Sequence, residues 1–73
     1  MKIIVLCAKR DDGVKWCIQH KFGPHECSIV SSELDMALLD GIEVSGMVML
    51  PGFFELENAF QLYSGSIQRV RGR

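Results

Sequence analysis

No lysine or arginine occurs between Phe22 and Gln68. This interval nevertheless carries seven acidic residues, which are Glu26, Glu33, Asp35, Asp40, Glu43, Glu55 and Glu57. The residues before the interval sum to +3 and those after it to +3, so the net charge of −1 conceals a strongly acidic middle. If these acids share one surface of the fold, that surface repels nucleic acid and attracts a basic partner.

Long apolar runs are also missing from the chain. The run from Ile3 to Ala8 is far shorter than the ~20 residues that a membrane-spanning helix needs. It is also too short for the core of a secretory signal peptide, and Lys9, Arg10, Asp11 and Asp12 follow it at once. We therefore expect a cytoplasmic protein with no membrane partner.

Sequence motifs for nucleotide binding and for metal-dependent hydrolysis are lacking as well. The chain contains no G-x-G-x-x-G, no Walker loop and no H-E-x-x-H. Its 73 residues predict one domain, 1–73, with little room for both a hydrophobic core and a ligand cleft. We therefore expect no enzymatic activity and no cofactor.

Only three cysteines are present, Cys7, Cys17 and Cys27, and an odd number leaves at least one thiol outside any intramolecular disulfide. In a reducing compartment all three are expected to be buried thiols. A zinc site is an alternative, because zinc takes Cys and His ligands and four such residues fall within eleven positions. These candidate ligands are Cys17, His20, His25 and Cys27. Their spacing is not that of a standard zinc finger.

The first half of the chain predicts a β-hairpin followed by a strand and a helix. Asp12-Gly13 is a strong turn signal between a β-rich segment at 2–8 and an alternating segment at 14–22. The alternating residues expected on the apolar face of the second strand are Val14, Trp16, Ile18, His20 and Phe22. A short strand at about 26–30 and a helix at about 32–40, with Ser32 as its N-cap, are expected to follow.

The second half is expected to add a strand at 42–50 and a segment that is open to two interpretations. Residues 53–63 fit either a helical stripe, which we favour, or two short strands. The sequence then predicts a turn at 64–66, an edge strand at 67–71 and a flexible basic tail at 68–73. The expected fold class is α+β, with a mostly antiparallel sheet, an N-terminal hairpin and one or two helices on one face.

The charge distribution and the missing motifs favour a small non-enzymatic interaction protein. In size and composition it resembles the accessory proteins of phages and other mobile elements that inhibit or modulate one host protein. The expected contacts to a basic partner are the seven acids named above, with aromatic anchors among Phe53, Phe54 and Tyr63. A homodimer is a further expectation, because so small a monomer buries the strand at 42–50 incompletely.

Single-stranded nucleic-acid binding is the other main alternative. Basic residues at both ends of the chain suit phosphate, and an aromatic ring among them suits base stacking. These residues are Lys9, Arg10, Lys15, Lys21, Arg69, Arg71, Arg73 and Trp16. The run Pro51-Gly52-Phe53-Phe54-Glu55-Leu56, with Ala59-Phe60-Gln61-Leu62, Gly65-Ser66-Ile67 and Arg69-Val70-Arg71, resembles the C-terminal hairpin of filamentous-phage single-stranded-DNA-binding proteins. This resemblance covers under a third of the chain and implies strands within residues 53–63.

Overall fold

The centre of the molecule is a three-stranded, all-parallel sheet. The computed structural model describes residues 2–23, 25–39 and 41–71, without the side chain of Arg71. In chain order the strands are β1 (Ile3–Leu6), β2 (Cys27–Val30) and β3 (Gly46–Met49). Their spatial order is β2-β1-β3, so β1 is central and the other two strands form the edges.

Helical segments follow each strand. They are α1 (Arg10–Gln19), α2 (Glu33–Ala37), a 3-10 turn (Phe53–Glu55) and α3 (Ala59–Arg71). None of the helices within the described part of the chain has the length and apolar character that a bilayer span requires. The strictly alternating order explains the parallel sheet, because a parallel pair needs a crossover of a dozen or more residues.

Helices cover both faces of this sheet. Gly13 of α1 lies against Cys7 and Ile29. Side chains alternate between the faces of a strand, so the other face receives Leu6 and Val30, which pack with Leu62 of α3 in the main core. The buried members of that core are Ile4, Leu6, Val30, Leu39, Val44, Phe53, Ala59 and Leu62. The run 4–6 is fully buried because both of its faces are covered.

The predicted antiparallel sheet with an N-terminal hairpin is wrong. Asp12 and Gly13 lie in α1 and not in a turn, and the expected second strand at 14–22 is largely helical. The alternating pattern competed there with a helical one, because Gly13, Val14, Cys17 and Ile18 also have helical spacing. Gly13 is required by close helix–sheet packing, a constraint that local sequence does not show.

The expectation of helices on only one face of the sheet is also wrong, because α1 covers one face and α3 covers the other. In the C-terminal half, residues 64–66 and 67–71 lie inside α3, where a turn and an edge strand were predicted. The favoured helical interpretation of 53–63 agrees with the 3-10 turn and the start of α3.

Ser32 caps α2 as expected, since its side chain accepts a hydrogen bond from the Asp35 N–H at 3.3 Å.

Opposite effects on stability are expected when two helical glycines are changed to alanine. A Cβ at Gly13 would stand 2.8 Å from Ile29 Cγ2 and 3.0 Å from Cys7 Sγ, and the β-branched Ile29 has little freedom to move. Overpacking outweighs the gain in helix propensity, so Gly13→Ala should lower the free energy of unfolding by about 1–2 kcal/mol.

The matched control is Gly65→Ala in α3. The added Cβ would meet only Met36 at 3.7 Å and Arg69 at 3.9 Å, which are ordinary contacts. This variant should therefore gain about 0.5–1 kcal/mol from helix propensity. Urea denaturation followed by circular dichroism measures both. Equal effects of the two substitutions would contradict the close packing of α1 on the sheet.

Candidate protein-interaction site

A tight turn after β3 leads into two neighbouring phenylalanines, Phe53 and Phe54, and places their side chains in different surroundings. The Phe53 N–H donates to the Leu50 carbonyl at 3.2 Å, and Gly52 has a φ of +90°. Proline at the second position and a left-handed glycine at the third are the signature of a type II turn. The turn directs the Phe53 side chain into the core, where it is fully buried, and leaves Phe54 60% exposed.

The exposed Phe54 lies beside other aromatic side chains, of which Tyr63 is partly buried against the core. Its ring centroid lies 5.9 Å from that of Tyr63 and 5.3 Å from that of the buried Phe53. Phe60 lies three residues before Tyr63 on α3, hence on a neighbouring part of the helix surface, and is 74% exposed. Phe54, Phe60 and Tyr63 are called the aromatic patch below.

Two of the predicted acids are next to this patch in the chain. Glu55 follows Phe54 directly, Glu57 lies between Phe54 and Phe60, and both acids are exposed. In the part of the chain that the structure describes, no ion pair involves either carboxylate. The aromatic patch therefore has negative charge beside it that is available to a partner.

The remaining acids are dispersed over other elements. Glu33 is exposed at the start of α2, and Glu43 is exposed in the loop before β3. The Glu26 carboxylate accepts a hydrogen bond from the Gly23 N–H at 2.8 Å, so it stabilises the turn before β2. Asp40 lies outside the described residues.

Asp35 has a structural role. Its carboxylate accepts hydrogen bonds from the Ser31 N–H at 3.0 Å and the Ser31 hydroxyl at 3.2 Å, and it lies 3.5 Å from Arg10 Nη1. Burial raises the pKa of Asp35, but the hydrogen bonds from Ser31 and Ser32 and the Arg10 charge outweigh this effect and hold the pKa below the usual range of an aspartate. Asp35 thus joins the end of β2 to α1.

The basic residues of the nucleic-acid alternative lie on and around α1, interspersed with acids. Lys9 is the N-cap, Arg10 and Lys15 are in the helix, and Lys21 follows it with a φ of +61°. Asp11 and Asp12 occupy the first turn of the helix, where a phosphate would otherwise be favoured. The predicted basic hairpin is therefore a helix of mixed charge.

Trp16 and Arg69 are both engaged within the molecule. The Trp16 ring is half-buried and stacks on His20, with centroids 4.2 Å apart, and on Phe22 at 5.6 Å. Arg69 donates from Nη2 to the Met36 carbonyl at 3.4 Å, so it links α3 to α2. The side chain of Arg71 and all of Arg73 lie outside the described residues. Since residues 53–63 are not strands, the resemblance to the phage hairpin loses its structural basis.

The three cysteines lie where α1 meets the sheet: Cys7 directly after β1, Cys17 in α1 and Cys27 in β2. Cys7 is fully buried, Cys17 is buried, and Cys27 is partly buried. Burial, followed by the hydrogen bond with Cys17, raises the pKa of Cys27 to about 12. Burial also raises the pKa of Cys7. Protonated thiols are poor nucleophiles and poor metal ligands.

The candidate zinc ligands do not form a compact group. The His20 Nδ1 atom lies 2.9 Å from the Trp16 carbonyl, and His25 is exposed in the turn before β2. Among residues 2–23, 25–39 and 41–71, no three His, Cys, Asp or Glu side chains are arranged to hold a metal ion. The zinc alternative therefore gains no support from the structure.

A second surface follows the free edge of β2. This cleft of about 470 Å³ lies between α1 and α2, with Cys27, Ser28 and Ile29 as its floor. Val14 and Ile18 line it from α1, and Leu38 and Ile42 line it from the segment that follows α2. All four of these apolar residues are exposed. This surface is called the edge groove below.

Comparison of the chain with known protein families, with curated proteins and with solved structures found no match. The aromatic patch and the edge groove are therefore interpreted from their own geometry. The sequence analysis named Phe53, Phe54 and Tyr63 as aromatic anchors, of which Phe53 is buried, and it assigned Phe60 only to a helical stripe. It missed the edge groove because a groove between α1 and α2 exists only when both lie beside the same strand.

Proposed function

We propose that this chain is a non-enzymatic protein-interaction domain that binds a basic surface of another protein and thereby inhibits or modulates it. The contact surface is the aromatic patch together with Glu55 and Glu57. The observation that carries the proposal is a pair of exposed phenylalanines, Phe54 and Phe60, in a segment of the chain without lysine or arginine.

The aromatic patch has the properties of a binding hot spot. Large aromatic side chains contribute much of the free energy of association in protein interfaces. Phe54 is held between the buried Phe53 and Tyr63, so little conformational entropy is lost when a partner covers it. Exposure of such rings to water is unfavourable for the isolated domain, and a partner would remove that cost.

Charge gives this surface its selectivity. Glu55 and Glu57 favour approach of a basic partner, and complementary charge raises the rate of association and discriminates against acidic surfaces. The same charge disfavours a nucleic-acid ligand at this site, because phosphates are repelled. No observation of comparable weight supports nucleic-acid binding, since the basic residues of α1 are mixed with Asp11 and Asp12.

The proposal predicts which variants of the protein retain a partner. Tagged protein is incubated with lysate of the source cells after nuclease treatment, and the captured protein is quantified. Phe60→Ala should reduce capture at least about tenfold, as expected for a hot-spot residue. The double variant Glu55→Lys with Glu57→Lys should also reduce it, and added salt should weaken capture by the wild type.

The matched control is Leu34→Ala on α2. Leu34 and Phe60 are both 74% exposed, but Leu34 is outside the aromatic patch, so its loss should leave capture unchanged. Circular dichroism should show that all of these variants are folded. Capture that depends equally on Leu34 and Phe60, or that disappears with nuclease, would refute the proposed function.

A further inference from the structure

We infer that the edge groove is occupied by a second copy of this chain, so that two β2 strands pair antiparallel and the two sheets form one sheet of six strands. Three features of the edge groove favour this occupant, which are the hydrogen-bonding capacity of β2, the apolar residues beside it and the charges at its two ends. None of these residues belongs to the aromatic patch.

Backbone groups on the outer side of β2 have no hydrogen-bond partner in the part of the chain that the structure describes. The Glu26 and Val30 carbonyls accept hydrogen bonds from the N–H groups of Ile3 and Cys7, at 2.9 and 3.1 Å. Backbone groups of successive strand residues point to opposite sides, so those of Cys27 and Ile29 point away from β1. Proteins usually protect such an edge with Lys, Pro or a bulge, and β2 contains only Cys, Ser, Ile and Val.

The outward-pointing backbone groups of one β2 strand are spaced so that they can pair with the same groups of a second, antiparallel β2 strand. A two-fold axis through Ser28 places Cys27 of one copy opposite Ile29 of the other, and the reverse. Each such pair exchanges two N–H···O=C hydrogen bonds in an antiparallel ladder. Ser28 then faces its own counterpart, where two hydroxyl groups can bond to each other. This register uses every outward-pointing backbone group of β2 and closes the interface.

The exposed apolar residues of the edge groove would be covered in the same dimer. A two-fold axis perpendicular to a continuous sheet keeps both α1 helices on one face and both α2 helices on the other. Gly13 lies over Ile29, and Cys17 contacts Cys27, so the axis passes between Val14 and Ile18. Each Val14 would then lie near Ile18 of the other copy. Ile18 is 69% exposed in the single chain, and Leu38 on the other face is 70% exposed.

Charges at the groove ends are compatible with this pairing. The walls and floor are uncharged, while Lys2 and Glu26 lie at the amino end of β2 and Arg10 and Asp35 at its carboxyl end. The two-fold axis brings the amino end of one strand to the carboxyl end of the other. Lys2 then approaches Asp35 and Glu26 approaches Arg10. Since these charges cancel within one groove, the groove has no preference for an acidic or a basic peptide. Its two ends are complementary in charge to the opposite ends of the groove in a second copy.

The first test is the mass of the protein in solution. Sedimentation equilibrium from about 1 μM to about 1 mM protein should show a species of twice the 8.2 kDa chain mass. Ile18→Lys places an unpaired charge in the seam and should weaken dimerisation at least about tenfold. Leu34→Lys changes an equally exposed residue outside the edge groove and should leave the dimer intact.

The second test fixes the register of the two strands. Ser28→Cys places two thiols opposite each other at a Cα separation of about 4.5 Å, which a disulfide can bridge. With oxidised glutathione as the oxidant, this variant should form a covalent dimer at least about tenfold faster than Ser45→Cys, an exposed position beside the other sheet edge. Non-reducing electrophoresis measures both rates.

Two results would overturn the inference. One is a protein that remains monomeric over the whole concentration range, and the other is a dimer that Ile18→Lys does not weaken. A monomer whose capture of a lysate protein is lost in Ile18→Lys would assign the edge groove to an extended segment of a different protein. Loss of capture in Phe60→Ala concerns the aromatic patch, so the proposed function and the dimer can fail separately.

Discussion

Phe53→Ala is expected to lower the free energy of unfolding by about 3–5 kcal/mol, because it leaves a cavity at the centre of the main core. The Phe53 ring is fully buried and packs with side chains from the sheet and from α3. A domain of this size has a total stability of only about 4–11 kcal/mol, so the variant should lose a large part of its stability. Urea denaturation, followed by tryptophan fluorescence and circular dichroism, measures the change.

Phe54→Ala is the matched control for that experiment. The two residues are adjacent and chemically identical, but Phe54 is exposed and loses only its ring contacts with Phe53 and Tyr63. Its removal should cost less than about 1 kcal/mol. Similar losses of stability for the two variants would show that the turn at Pro51-Gly52 does not separate core from surface as described.

Gly65→Pro is expected to destabilise the protein by about 3 kcal/mol or more. Gly65 lies near the middle of α3, where proline removes an intrahelical hydrogen bond and its ring clashes with the carbonyl of residue 61. The substitution also disturbs Leu62 and Ser66, two buried residues close to Gly65 on α3. The measurement is again urea denaturation, together with the loss of helical circular dichroism.

This variant also separates two structures for the C-terminal segment. If residues 64–66 formed a turn between strands, proline would be tolerated there, because its fixed φ suits turn positions. A Gly65→Pro protein as stable as the wild type would therefore contradict a continuous α3. Gly65→Ala serves as the control, since it keeps the helix and should increase stability.

The sequence predicted local features well where local interactions decide them. The Ser32 cap depends only on neighbouring residues, and it is present as predicted. The strand at the start was also predicted, but its partners were not. A continuous apolar run is typical of a strand buried on both faces, as in a parallel sheet, but the prediction followed the Asp12-Gly13 turn signal.

The candidate surfaces could be predicted only in part. Phe53, Phe54 and Tyr63 were all expected to be anchors, but Phe53 is buried in the core, and Phe60, which was not among them, is exposed. Neighbouring phenylalanines are indistinguishable by composition, and only the direction of the turn separates the buried ring from the exposed one. The predicted acidic surface includes Asp35, whose carboxylate is used by Ser31 and Arg10 within the fold.

The sequence by itself determined the segregation of charge and the main apolar segments, because these properties need no spatial neighbours. The tertiary structure decided that the segment after β1 is a helix, that all strands are parallel, and that β2 has a free edge. Gly13 shows the physical reason. A glycine after an aspartate suits a hairpin turn or a close helix–sheet contact equally well, and only packing against Cys7 and Ile29 selects between them.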